Sequence, residues 1–83
     1  MKILQQLKEN HYTESEQQVI DYLLDHLEDL TLLSINDLAK KSYTSNATII
    51  RLCHKVGYQG YRQFKLALLQ ELEDNKYMVS QVD

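Results

Sequence analysis

Six cationic side chains, Lys40, Lys41, Arg51, Lys55, Arg62 and Lys65, fall in one stretch that holds no aspartate or glutamate, although the 83-residue chain has a formal charge of −3. Residues 1–34 set two lysines against seven acids, residues 35–65 set six basic groups against Asp37 alone, and residues 66–83 set one lysine against four acids. Such segregation says more about partners than the total does, because a surface potential acts within about a Debye length, roughly 10 Å. The chemistry it suits is recognition of a polyanion, and duplex DNA is the first expectation.

The spacing inside this stretch divides the work. With about 100° between successive residues of a helix, Ile49, Leu52, Cys53 and Val56 fall on one side of a segment 45–56. Ala47, Arg51 and His54 fall opposite, flanked by Asn46, Ile50 and Lys55. A short, polar, cationic outer face is what a helix entering the major groove needs. Arg51 can donate to two acceptors of guanine, and Asn46 can pair with adenine or hold a phosphate. Ala47 permits close approach, and Ile50 can touch a thymine methyl. Contacts that position rather than read come from outside such a helix. The candidates are Lys40 and Lys41 before it, Lys55 at its end, and Tyr61, Arg62 and Lys65 after it, although Tyr61 and Phe64 also have the character of core anchors.

Catalysis finds little support. Glu14, Glu16, Asp21 and Asp25 read as a solvated helix face, and His11, His26 and His54 show no metal-ligand spacing with Cys53. Cys53 lies on the apolar stripe, where a thiol is inert rather than nucleophilic. No enzyme activity, cofactor or metal is expected.

The elements that must position these residues are legible as helices. Ile3, Leu4 and Leu7 make a short amphipathic segment. Thr13-Glu-Ser-Glu16 reads as a capping box opening a helix with Val19, Ile20, Leu23, Leu24 and Leu27 on one face. Ser34, with Asp37 three residues on, opens a short helix that buries Ile35, Leu38 and Ala39 and ends near Lys41. After the turn Ser42-Tyr43-Thr44, Ser45 caps the candidate reading helix, and Gly57 closes it where a left-handed residue costs least. Tyr58-Gln59-Gly60 forms a turn, and Tyr61, Phe64, Leu68 and Leu72 stripe a last helix. A short helix, a tight turn and a second helix make a helix-turn-helix, which needs a small residue at the crossing (Ala39) and aliphatics at fixed offsets (Leu38, Ile49, Leu52). A winged helix is disfavoured, because Gly57–Gly60 leads into a helical pattern. The expected fold is a small all-α bundle of four to five helices around a three-helix, homeodomain-like core.

Bulk composition agrees. Eighty-three residues allow one domain, and two Gly with no Pro leave few breakers. A lone cysteine excludes an internal disulfide. No apolar run reaches the roughly 18 residues of a membrane span, and the N-terminus lacks a signal-peptide pattern. A cytoplasmic setting and no membrane partner are expected.

The run L-A-K-K-S-Y-T-S-N-A-T-I-I-R-L-C-H-K-V-G-Y-Q-G-Y-R-Q-F-K-L-A-L, with T-E-S-E-Q-Q-V-I-D-Y-L-L and S-I-N-D-L-A upstream, resembles the N-terminal domain of the RpiR family of bacterial transcription regulators over residues 1–77. The resemblance implies a helix-turn-helix that binds double-stranded operator DNA, usually as a homodimer. It also implies a sugar-isomerase-type domain, absent from these residues, that senses phosphosugars. Residues 78–83 would then be a tail or the start of a linker to it. Ser45, Thr48, Arg51, Gly57, Gly60, Phe64 and Lys65 stand at the family's motif positions, which adds Ser45 and Thr48 to the base-reading set. Tyr43 and Thr44 depart from the Gly and Val usual in the turn, and a bulky side chain where φ > 0 is needed is costly, so a reshaped turn is expected. A non-catalytic protein-interaction or dimerisation module on the same fold is the alternative function.

Overall fold

Hydroxyl side chains open three of the helices, and two left-handed residues close two of them. The computed structural model describes the backbone of residues 2–82 and the side chains of residues 2–74. It contains α1 (Ile3–Glu9), α2 (Glu14–Asp25), a 3-10 helix (Leu27–Leu32), α3 (Ile35–Lys41), α4 (Asn46–Lys55) and α5 (Tyr61–Val82). No strand occurs among the described residues, so the fold is all-α, and the turn after α4 leads into a helix rather than a hairpin.

The caps form as the sequence requires. The Thr13 hydroxyl accepts from the Glu16 amide at 3.2 Å while Glu16 Oε1 accepts from the Thr13 amide at 2.9 Å, a complete capping box. Ser34 accepts from the Asp37 amide at 3.1 Å, and Ser45 from the Thr48 amide at 3.2 Å. Each bond satisfies one of the amides a helix start leaves unpaired.

The apolar stripes meet in one core. Val19, Ile20 and Leu23 of α2, Leu38 and Ala39 of α3, Ile49, Leu52 and Cys53 of α4, and Phe64 and Leu68 of α5 are buried together. Ile3 and Leu7 bring α1 onto α5. That docking uses a bond the sequence does not announce: the buried Glu71 carboxylate accepts from the Ile3 amide at 2.7 Å and the Leu4 amide at 2.9 Å. Lys2 gives α1 no side-chain cap, so a carboxylate from α5 takes that role.

Two expectations are corrected here. Leu27 does not extend the α2 stripe. The helix stops at Asp25 because His26 turns out of helical geometry (φ −132°, ψ 37°) and its Nδ1–H donates to the Tyr22 carbonyl at 2.8 Å. The tighter 3-10 winding that follows buries Leu30, and Leu33 just after it. The turn before α4 is not reshaped to avoid φ > 0 either, because Tyr43 itself adopts φ 59°. The Tyr43 amide donates to the Lys40 carbonyl at 3.3 Å and the Thr44 amide to the Ala39 carbonyl at 2.8 Å, a Schellman closure. Gly57 (φ 97°) closes α4 the same way, with Gly57 to His54 at 3.0 Å and Tyr58 to Cys53 at 2.9 Å. The α5 backbone continues through Val82; the side chains of Met78, Val79 and Val82, read from the sequence as a tail, lie outside the described ones.

Candidate nucleic-acid interface

The helix pair α3 and α4 carries the candidate reading face. Ser42 buries its hydroxyl in the turn, donating to the Leu38 carbonyl at 2.6 Å, and Thr44 Oγ1 lies 2.8 Å from it. The turn is thereby fixed from the inside, and α4 leaves it at a set angle. Ala47, Arg51 and His54 are exposed on the outer face, with Ile50 38 % exposed beside them. Arg51 is the centre of this face. Its Nη2 makes one long bond, 3.3 Å, to the Thr48 hydroxyl, which leaves most of the guanidinium's donors free to pair with a base edge.

Asn46 is exposed at the start of α4, where its Nδ2 donates to Asn36 Oδ1 on α3 at 2.7 Å. His54 is drawn to the following turn: its Nε2 lies 3.0 Å from the Gln59 carbonyl, which can only accept, so that nitrogen carries the proton. Thr13, Ser15 and Glu16 from the start of α2 face Arg51, His54 and Lys55 across an open groove of about 780 Å³.

Four sequence-derived assignments change. Thr48 is 4 % exposed, because its hydroxyl turns inward to Ser45 at 3.1 Å and to Arg51. The hydroxyl therefore faces Ser45 and Arg51 rather than solvent. Lys55 is paired within the fold: its Nζ lies 2.6 Å from Glu16 Oε1 and 5.3 Å from the centre of the Tyr12 ring. Lys65 donates to the Leu33 carbonyl at 3.1 Å and lies over the Tyr61 ring. Tyr61 is buried, and its hydroxyl donates to the same Leu33 carbonyl at 2.7 Å. The two residues cap the end of the 3-10 helix from α5, so their polar ends serve the fold.

Glu16 also departs from expectation, since it is 2 % exposed and not part of a solvated face. Burial pushes its carboxyl up, but the bonds from Lys55 and Thr13 outweigh that and hold it below the usual carboxylate value. Among the cations of the basic stretch, Lys40, Lys41 and Arg62 remain exposed with no ion pair or hydrogen bond to the described residues.

Cys53 is buried, which pushes its thiol up to about 12. Burial, followed by the charges of Cys53 and Asp37, does the same to Tyr61, also to about 12. Among the described residues no cluster of His, Cys, Asp or Glu could hold a metal, and no helix is long and apolar enough to cross a membrane. Sequence reasoning missed Asn36 and Glu71, whose partners are ten and 68 residues away; no local spacing signals either.

Comparison with known proteins agrees with this geometry. Residues 1–75 match the helix-turn-helix domain of the rpiR family. The chain is 36 % identical over 78 residues to an uncharacterized HTH-type transcriptional regulator of Clostridium perfringens, covering 92 % of this chain and 28 % of that protein. It is 36 % identical over 61 residues to another from Caldanaerobacter subterraneus, covering 74 % of this chain and 22 % of the relative. Among solved structures, the Vibrio vulnificus NanR protein complexed with ManNAc-6P superposes with a TM-score of 0.81 at 37 % identity, over 86 % of this chain and 28 % of NanR. The chain thus spans less than a third of the length of these relatives. A Schellman-closed helix pair with a cationic outer face, matched over nearly its full length, places this chain in the rpiR family as the helix-turn-helix, DNA-binding domain of a transcriptional regulator, a non-catalytic module.

Proposed function

We propose that this domain reads operator DNA by inserting the 45–56 segment into the major groove, with Arg51 as the principal base contact. The observation that carries the reading is the exposed guanidinium of Arg51 on the outer face of a helix whose opposite face is wholly in the core. Asn46, Ala47, Ile50 and His54 complete the reading surface, and the Ser45-capped end of α4 enters first. Lys40, Lys41 and Arg62 hold phosphates, because their charges are uncommitted within the fold. A single short helix reads only a few base pairs, so a homodimer on a two-fold operator in the cytoplasm is the functional form.

The ManNAc-6P in the NanR structure supports a role in sugar or sugar-phosphate metabolism genes. A phosphosugar effector would act through parts of a longer protein beyond these residues. The test is binding to duplexes selected from a random pool. Arg51→Ala should cost about 1–3 kcal/mol on the selected site and relax its sequence preference. Unchanged affinity would remove Arg51 from the reading face and favour a protein-interaction role for the same fold.

A further inference from the structure

The geometry points to Asn36, on α3, as a specificity-determining residue that makes Asn46 a reader of adenine. Asn46 is the first residue of α4 and Asn36 the second of α3. Both are exposed, and neither belongs to the core. Their amides nevertheless meet across the two helices, Asn46 Nδ2 donating to Asn36 Oδ1 at 2.7 Å.

A surface asparagine amide has two N–H groups and one carbonyl oxygen, and rotation about its last bond exchanges the two ends. A free amide would therefore offer a base its donor and acceptor in either order. The bond to Asn36 restricts that freedom, because Asn46 cannot turn over and keep the bond unless Asn36 turns with it. The bond takes one N–H of Asn46 and leaves the second N–H and Oδ1 without a partner among the described residues. That remaining pair is the one adenine needs, the N–H for N7 and the oxygen for the N6 amino group. Reversing Asn46 alone would set its oxygen against the Asn36 oxygen, two acceptors face to face, so the two amides turn together or not at all, and an acceptor-only side chain at position 36 would hold Asn46 in the one order.

This inference rests on α4 reading the major groove, and the experiment separates the two. Duplexes are selected from a random pool by the full chain and by Asn46→Ala, Asn36→Ala, Asn36→Asp and Arg51→Ala, with unfolding temperature measured for each. Wild type should select one position for adenine by at least about fivefold. Asn46→Ala and Asn36→Ala should each reduce that preference to no more than about twofold at the same position, with no further loss in the double variant and no fall in unfolding temperature. Asn36→Asp keeps the acceptor, so it should retain the adenine preference while its added charge lowers affinity for every duplex. The inference is overturned if wild type selects no such adenine, if Asn36→Ala retains it, or if Asn36→Asp loses it as alanine does. An Arg51→Ala variant that selects the same pool with the same affinity overturns the groove reading and this inference together.

Discussion

Lys55→Ala tests the reassignment of a cation from the DNA interface to the fold. The Lys55 ammonium lies 2.6 Å from a Glu16 carboxylate that is almost wholly buried, while the Lys55 side chain is 38 % exposed. Breaking a fully buried pair costs about 3–5 kcal/mol, and an exposed one about 1 kcal/mol or less. Water reaches the lysine but not the carboxylate, so the expected loss lies between, at about 1–2 kcal/mol. That corresponds to a fall of roughly 4–8 °C in unfolding temperature per kcal/mol for a domain of this size. Glu16→Gln keeps an oxygen for the Thr13 amide and should cost less, about 0.5–1 kcal/mol. The double variant should show a coupling of at least about 0.5 kcal/mol. The sign with pH follows from the direction of the Glu16 shift. Its folded carboxyl is held below 4.5, so the pair contributes fully above that value and its contribution is lost as the pH falls through the lower, folded value. Urea unfolding of all four proteins from pH 7 downward measures this, and the gap between wild type and Glu16→Gln should close in acid. Additive single effects, or a gap that persists in acid, would refute the pairing argument. The same variant has a second readout: Lys55→Ala should leave the salt dependence of DNA binding unchanged.

Replacing Lys40, Lys41 or Arg62 by alanine should, in contrast, lower the slope of log K against log salt by about 0.9 each, measured by fluorescence anisotropy at several salt concentrations. Glu71→Ala strips the acceptor from the Ile3 and Leu4 amides and should destabilise by about 1–3 kcal/mol. Hydrogen exchange should show the loss first as faster exchange in α1. Tyr43 is 89 % exposed and sits at φ 59°, so Tyr43→Gly removes a left-handed strain with little packing to lose. It should raise stability in thermal unfolding by about 0.5–1 kcal/mol, the αL cost less glycine's greater chain entropy. The Cys53 thiol, buried and pushed up to about 12, should resist a thiol reagent in the native protein and react only on unfolding.

What the sequence determined by itself was whatever a few neighbouring residues decide. Thr13 with Glu16, Ser34 and Ser45 each close a helix start over three residues, so their hydroxyl chemistry and spacing sufficed. The stripe Ile49, Leu52, Cys53 and Val56 follows from helical period alone, and the opposite, outward face of Arg51 follows with it. Gly57 marks a left-handed closure because its conformational freedom is intrinsic; Tyr43 hides the same closure, because tyrosine adopts that conformation only when the hydrogen bonds of the turn compel it. Tertiary structure alone decided which cations were free. Lys55 meets Glu16 across 39 residues, Lys65 and Tyr61 meet the Leu33 carbonyl across 32 and 28, and Glu71 meets α1 across 68. A lysine's charge is visible in the sequence, but whether that charge faces solvent or an internal acceptor depends on which helix packs beside it. The basic stretch therefore suggested a polyanion partner, and only the packing of α2, α5 and the 3-10 helix determined which of its cations pair inside the fold.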